Sequence, residues 1–435
     1  APAACSLAVR DRLCISTARL RVLPFKLDPQ QVAVMEPQPG VLDILAQFFH
    51  RLLHWGPLTA LCIIKFIFLT SLYVTSMWLS PYGSTLGTVN HGIFIGWVGV
   101  LLYNFFMAVA MGPGFVPLKW RPDQPDDEQF LQYCANCDGF KTPRSHHCRK
   151  CERCVLKMDH HCPWINTCCG HRNHANFTLF LFFAVCGSIH ASVLLIMGLT
   201  KAYHRKYYMR QGQEDNLVYL GFFPFLATVL SLGLAIGVII AVGSLFCIQL
   251  KIIVRNETTI ENWIVAKAQM RERDEEDDFV YPYNLGVAEN LKQVFLYPLG
   301  DGITWPVVPG CNQYTLTVEQ ILQKHDKRLR TRLYTVVHPY RGSFFPISHG
   351  CSVCMTTPLT DEPRIAVSPG DRVLVTRWKK HWLYGELESA KFSTKSSRRL
   401  KGWFPRQCAV EVAGSKGSRS CTEASSSFAD YKKYK

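Results

Sequence analysis

Between Cys134 and Phe177 the chain reads C-x2-C-x9-H-C-x2-C-x2-C-x4-D-H-H-C-x5-C-C-x3-N-x3-F, a run holding eight of the 18 cysteines and six histidines. Cys134/Cys137, Cys148/Cys151 and Cys151/Cys154 are each separated by two residues, a gap that lets two thiolates reach one tetrahedral zinc from a tight turn. Two four-coordinate sites consume eight ligands, and the run offers more donors than that. At least one thiol can therefore stay free for chemistry, and Cys162, within Asp159-His160-His161-Cys162, is the candidate. An ordinary thiol is little ionised at neutral pH. An imidazole such as His160 can take its proton, and Asp159 can hold that imidazole in its useful tautomer. Pro163-Trp164 predicts a turn that keeps the thiol out of a regular helix. A purely structural zinc knuckle is the competing reading of the same spacing.

These residues need a frame, and the composition predicts membrane helices. The chain has 435 residues and is 48% hydrophobic, with the apolar residues clustered, which points to spans rather than one large core. Four are expected, at about Pro57–Leu79, Thr88–Met111, Asn176–Leu199 and Pro224–Ile248; about 20 helical residues cross a hydrocarbon core of about 30 Å. Lys65, inside the first, is expected to snorkel to the interface. The loop between the second and third spans carries nine Lys/Arg and Ser80–Gly87 carries none, so the positive-inside rule puts the cysteine run and both termini in the cytosol. Lys201, Arg205, Lys206 and Arg210 after the third span oppose that assignment; a dense set of reduced thiols favours it. On this topology the sequons Asn176-Phe-Thr178 and Asn256-Glu-Thr258 stay bare. The net charge of +15 is read as basic residues flanking spans and facing anionic lipid or an anionic cosubstrate, with no nucleic-acid partner.

Residues 1–40 are expected to be a disordered extension. Arg10, Arg12, Arg19, Arg21 and Lys26 exclude a good secretory signal, and Met35 is an alternative start. Residues 41–56 predict an interfacial amphipathic helix, with Val41, Ile44, Leu45, Phe48, Phe49 and Leu52 on one side and Asp43, Gln47, His50 and Arg51 on the other. Spans one and two (57–111), the cysteine domain (112–175) and spans three and four (176–250) are followed by a cytosolic segment, 251–330, with a charged run Arg271–Asp278. In 331–412 short β-rich runs alternate with turn signals such as Ser368-Pro369-Gly370-Asp371, predicting a small all-β barrel. The tail, 413–435, is Ser-rich and expected to be flexible. Its Lys432 and Lys433 match a dilysine signal for retrieval to the endoplasmic reticulum.

Asp-His-His-Cys within this cysteine pattern resembles the DHHC family of protein S-acyltransferases, over about residues 45–300. Thr258-Thr259-Ile260-Glu261 is similar to the family's Thr-Thr-x-Glu motif. Tyr283-Asn284-Leu285-Gly286 through Asn290 and Phe295 is similar to its C-terminal aromatic and Asn motif. Gly112-Pro113-Gly114 departs from the Asp-Pro-Gly of many members. The resemblance implies an α-helical membrane protein with four transmembrane helices and a cytosolic two-zinc cysteine-rich domain. It implies that Cys162 takes a long-chain acyl group, such as palmitoyl, from acyl-CoA and passes it to a cysteine of a target protein. Each step exchanges one thioester for another. It also implies two structural Zn2+ sites, one on Cys134, Cys137, His147 and Cys154, the other on Cys148, Cys151, His161 and Cys168. Three thiolates give each site a net charge of about −1, which leaves activation to His160. Cys169 remains for packing or hydrogen bonding. Thr259 is expected to meet Asp159, with Thr258, Glu261 and Asn290 in support. Lys141 and Arg144 are the candidates for the CoA phosphates.

Residues 332–412 resemble an SH3 domain in the Trp378/Trp382 pair and in Gly402-Trp403-Phe404-Pro405, with Val336-Val337-His338-Pro339-Tyr340 in place of the usual opening. A regulatory or substrate-recruiting barrel is implied, with a possible partner. Cys351 and Cys354 are expected to be exposed thiols open to modification. With the dilysine tail, the chain resembles an SH3-bearing member of the family in the endoplasmic-reticulum membrane, multi-pass with both termini cytosolic. The competing reading is a non-catalytic zinc-stapled membrane scaffold that recruits partners through the SH3-like domain.

Overall fold

The computed structural model describes residues 41–213, 217–271, 278–296, 300–360, 362–388 and 400–416. The N-terminal extension, most of the Arg271–Asp278 run and the tail with Lys432 and Lys433 lie outside the described residues. The chain runs α1 (Val41–Leu52), α2 (Trp55–Ser76), α3 (Thr85–Met111), three short hairpins, α4 (His174–Tyr203), α5 (Arg205–Arg210), α6 (Phe222–Val254), α7 (Thr259–Gln269), α8 (Val287–Phe295) and α9 (Thr315–Leu329). A five-stranded antiparallel sheet follows.

Helices α2, α3, α4 and α6 are long and apolar enough to cross a membrane. The starts of α2 and α3 are set by side-chain caps. The His54 imidazole accepts the Gly56 N–H at 3.3 Å, and Ser84 Oγ accepts the Gly87 N–H at 3.0 Å. Helices α4 and α6 run past the expected span ends, through last turns carrying Lys201 and Lys251. Helix α4 is the most enclosed of the four and buries Phe177, Leu181, Ala184, Ala191 and Leu195. Helix α6 is the most apolar and the least buried, the pattern of a helix whose solvent is lipid. At Gly198 a Cβ would stand 2.2 Å from Val74 Cγ1, so glycine there lets α4 meet α2.

Helix α1 faces two ways. Phe48 and Leu52 pack on the cluster of Leu101, Phe105, Ala108 and Val109, while Leu42, Leu45 and Phe49 are exposed. Its Arg51 reaches the free carbonyls at the end of α3, bonding Val109 O at 2.9 Å and Ala110 O at 3.4 Å.

The C-terminal sheet comprises β7 (Arg332–Val336), β8 (Arg372–Trp378), β9 (Trp382–Leu387), β10 (Lys401–Pro405) and β11 (Ala409–Lys416), in the order β10-β9-β8-β7-β11. Trp382, Val373, Val375, Leu383 and Phe404 fill its core. Trp382 is fully buried and donates to Val353 O at 3.1 Å, whereas Trp378 is half exposed on the surface. Cys351 is exposed and Cys354 half-buried.

One close approach ties the first span to the cysteine domain. A Cβ on Gly56 would lie 1.9 Å from Pro163 O, and Trp55 meets Trp164 edge-on at 5.9 Å. Gly56→Ala is expected to cost about 1–3 kcal/mol of stability, read as a lowered midpoint in thermal unfolding of the detergent-solubilised protein, and to displace the turn that follows Cys162.

Candidate active site

The cysteine domain is three two-stranded hairpins: β1 (Tyr133–Cys134) with β2 (Gly139–Phe140), β3 (His146–Cys148) with β4 (Arg153–Val155), and β5 (His160–Cys162) with β6 (Thr167–Cys169). Their turns place Asp138, Glu152 and Asn166 at φ of 52°, 55° and 46°, a left-handed region that Asp and Asn tolerate best among the non-glycine residues.

Two four-residue clusters result, Cys134, Cys137, His147 and Cys154, and Cys148, Cys151, His161 and Cys168, each able to hold a metal ion. In the first, His147 Nδ1 lies 3.4, 3.4 and 3.9 Å from the three sulfurs. In the second, His161 Nδ1 lies 3.6, 3.4 and 3.7 Å from its three. A tetrahedral zinc, with sulfur at about 2.3 Å and nitrogen at about 2.0 Å, sets S···N separations of about 3.6 Å. The donor sets therefore fit that ion in both type and spacing. The ring nitrogen of His147 facing away from the cluster sits 3.2 Å from the Asn136 side-chain amide, which fixes the ring's orientation.

Strand alternation separates structure from chemistry in the third hairpin. Successive side chains of a strand point to opposite faces. In β5, His161 turns to the metal cluster, paired across the hairpin with Cys168. His160 and Cys162 share the other face, opposite Cys169 and Thr167. His160 Nδ1 bonds Asp159 Oδ2 at 2.7 Å, and Cys162 stands two residues on, on the same face of the strand. Cys162 is only 3% exposed and packs with Leu101, Phe105, Phe177, Phe180 and Leu181, the core shared with α3 and α4. Asp159, His160 and Cys169 also lie close enough to chelate, but the direct 2.7 Å bond joins the carboxylate to the imidazole with no ion between them.

Burial would raise the Asp159 pKa, yet its hydrogen bonds to His160 and to the Thr259 amide hold it well below the usual carboxylate range. Burial would lower His160, but the bond to Asp159 and the nearby Cys162 thiol outweigh it and push it up to about 10. Cys169 is fully buried; desolvation first and Asp159 second push its thiol well up, which suits packing rather than acyl carriage.

Asp159 is also the point where the domain joins the helices. Its Oδ1 takes the Thr259 N–H at 2.5 Å and its Oδ2 takes Gln249 Nε2 at 2.9 Å. Thr258-Thr259-Ile260-Glu261 is the start of α7 with a full capping box: Thr258 Oγ1 accepts the Glu261 N–H at 3.1 Å, and Glu261 Oε2 accepts the Thr258 N–H at 2.9 Å. Asn290 Nδ2 donates to Val254 O at 2.8 Å, closing the end of α6.

Arg144 corrects an expectation. Its side chain is fully buried, bonded to Glu261 at 2.7 and 2.8 Å and to Asn256 O at 2.6 Å, between the rings of Tyr283 and Trp305. It is a bidentate staple between the cysteine domain and α7, with no face for a CoA phosphate. Lys141, the other candidate, lines a small cleft with Gln132 and with Thr317 and Gln320 of α9.

Three buried polar residues carry more of the site than their motifs suggested. Asn256 donates to Tyr283 O and Gln293 Oε1, each at 2.8 Å, and accepts from Lys157 Nζ at 2.9 Å. Asn173 donates to Ala108 O at 3.1 Å and to Cys168 O at 3.0 Å, knotting α3 to the last hairpin. Gln249 stands one residue beyond the expected end of the fourth span. A polar side chain at the edge of an apolar run was the signal available in the sequence.

Membrane-length helices that hold a thiol, an imidazole and a carboxylate in line beside two metal-capable clusters define a class of membrane-bound group-transfer catalysts working through sulfur. Residues 127–265 match the family described as DHHC palmitoyltransferase. The palmitoyltransferase ZDHHC6 of Homo sapiens is 46% identical over 379 residues, covering 83% of this chain and 92% of its own. The palmitoyltransferase ZDHHC6 of Danio rerio is 45% identical over 390 residues, covering 86% and 95%. The probable protein S-acyltransferase 16 of Arabidopsis thaliana is 35% identical over 240 residues, covering 53% and 80%. The chain belongs to the DHHC palmitoyltransferase family and is a multi-pass membrane protein S-acyltransferase. The non-catalytic scaffold is not favoured.

Two outcomes are expected. Removing one partner of the buried Arg144–Glu261 pair, as in Arg144→Ala or Glu261→Leu, costs about 3–5 kcal/mol, while the double substitution to methionine costs less than the sum of the singles in the same unfolding measurement. Because the folded pKa of His160 lies above the ordinary 6.5, its ion pair with Asp159 stabilises fully below that value and is lost as pH climbs through about 10. The midpoint difference between wild type and His160→Gln should therefore shrink over that window.

Proposed function

We propose that Cys162 carries the acyl group as a thioester between acyl-CoA and target cysteines. The observation that supports this best is the Asp159–His160–Cys162 line. It lies outside both four-residue clusters, with the Cys162 thiol in the apolar core shared with α3 and α4. His160 holds the proton of Cys162, leaving a thiolate. That thiolate attacks the thioester carbon of acyl-CoA; the CoA thiolate leaves and takes the proton from His160. A target thiol then gives its proton to His160 and attacks the Cys162 thioester, and the Cys162 thiolate departs. Atoms and charge balance in both steps.

The position of the thiol suits a lipid donor. Each CH₂ drawn into water costs about 0.8 kcal/mol, so a long acyl tail stays among the spans while its thioester reaches the thiol. Zinc, when bound, would supply structural cross-linking. Cys134, Cys137, His147 and Cys154 would hold one ion, and Cys148, Cys151, His161 and Cys168 the other. Each site would then carry about −1 net charge. Lys141 remains the candidate for the CoA phosphates.

The C-terminal sheet is read as an SH3-like domain that recruits partners. Its five antiparallel strands, and the short 3-10 turn Arg406–Cys408 between the last two, support that reading. The endoplasmic-reticulum membrane, with both termini cytosolic, is the proposed location. It rests on the loop charges and on the resemblance to the endoplasmic-reticulum member of the family.

Purified protein given labelled palmitoyl-CoA is expected to acquire a hydroxylamine-sensitive label. Cys162→Ser and Cys162→Ala should abolish it while two zinc ions per chain remain. Label that persists in either variant would move the acyl group to another residue. A glycan on Asn176 or Asn256 in cells would reverse the topology.

A further inference from the structure

Behind the Asp159 carboxylate stands a second pair of polar side chains that no motif supplies. Gln249, on α6, gives its Nε2–H to Asp159 Oδ2 at 2.9 Å. Its Oε1 lies 2.8 Å from Nε2 of His174, the first residue of α4. Both side chains are buried, Gln249 to 1% and His174 to 2% exposure. Polar groups in such surroundings are costly unless bonded, and here each bond has one possible direction. An ionised carboxylate only accepts. The Gln249 amide must therefore turn its NH₂ to Asp159 and its carbonyl to His174, and His174 must carry its proton on Nε2. A flipped amide would set a carbonyl against the carboxylate.

We propose that His174 and Gln249 form an orienting chain for the active site. His174 fixes the Gln249 amide, Gln249 fixes the Asp159 carboxylate, and the carboxylate fixes the plane and tautomer of His160. This rests on the reading of Cys162 as acyl carrier and deepens it. Neither residue touches substrate, so both are positioning residues. Without Gln249, among the described residues the carboxylate keeps His160 on Oδ2 and the Thr259 amide on Oδ1. The imidazole can then swing with it, and proton transfer to and from sulfur loses its line. Because α4 and α6 each contribute one member, the arrangement also makes the dyad depend on how those two helices are packed.

The test is single-turnover self-acylation of the purified full-length chain with labelled palmitoyl-CoA over a range of concentrations, with zinc content and thermal midpoint measured on each sample. Gln249→Met keeps length and volume but not the bonds. It should lower the maximal rate about tenfold, leave the half-saturating acyl-CoA concentration unchanged, and keep two zinc ions and the wild-type midpoint. His174→Phe should also lower the maximal rate, whereas His174→Gln, whose amide can still donate to Gln249, should recover most of it. A wild-type maximal rate in Gln249→Met, or a loss confined to half-saturation, overturns the proposal. If Gln249→Met sheds zinc, the His174 pair decides, and equal rates for His174→Phe and His174→Gln overturn it. Label that survives Cys162→Ser sinks the acyl-carrier reading itself, a failure distinct from either of these.

Discussion

Asp159 is a nearly inaccessible carboxylate that receives hydrogen bonds from His160, the Thr259 amide and Gln249. A charge in that place would be expelled by desolvation if it stood alone. Its three donors come from the cysteine domain, the start of α7 and the end of α6 respectively. The carboxylate has its full set of donors when all three are assembled. Orientation of the imidazole and tertiary assembly are thus linked, because the carboxylate behind His160 gains its other two donors from the helices.

The Arg144–Glu261 pair plays the complementary part without entering the chemistry. Glu261 receives two bonds from Arg144, one from the Tyr281 hydroxyl at 2.9 Å and one from the Thr258 amide. Burying such a pair adds little to stability compared with apolar packing. What it supplies is register: a bidentate fork has one orientation, so the loop between the first two hairpins, which carries Arg144, can sit on α7 in one way. The Thr258–Glu261 capping box sets the first turn of α7, the free amide of Thr259 points at Asp159, and Arg144 holds that turn against the domain.

The zinc-ligand spacing, the spans and the Asp-His-His-Cys run were legible because each depends on local pattern: gaps of two residues, long apolar stretches, and adjacent functional groups. Strand alternation could also have been applied to His160, His161 and Cys162, and it explains how neighbours serve opposite purposes without distorting the backbone. Arg144 was misjudged because a cation in a basic loop looks solvated until its partner is known, and that partner lies 117 residues away. Gln249 and Asn256 were passed over for a related reason. One closes an apolar run and the other sits in a sequon, and neither context reveals that both side chains are saturated by distant backbone and side-chain groups. The boundaries of α4 and α6 were read short because hydropathy measures the lipid-facing stretch, while hydrogen bonding carries the helix further.

When metal-loaded, the two clusters would be closed: three thiolates and one imidazole complete a tetrahedron and leave no open position for water or substrate. Their effect on Cys162 is geometric. His161 is pinned in the second cluster, and it lies between His160 and Cys162 on one three-residue strand. Fixing the middle residue on one face fixes its two neighbours on the other. The closed cluster therefore sets the thiol-to-imidazole separation, the helices set the carboxylate behind it, and the reactive sulfur is left at the apolar seam where a long acyl chain would meet it.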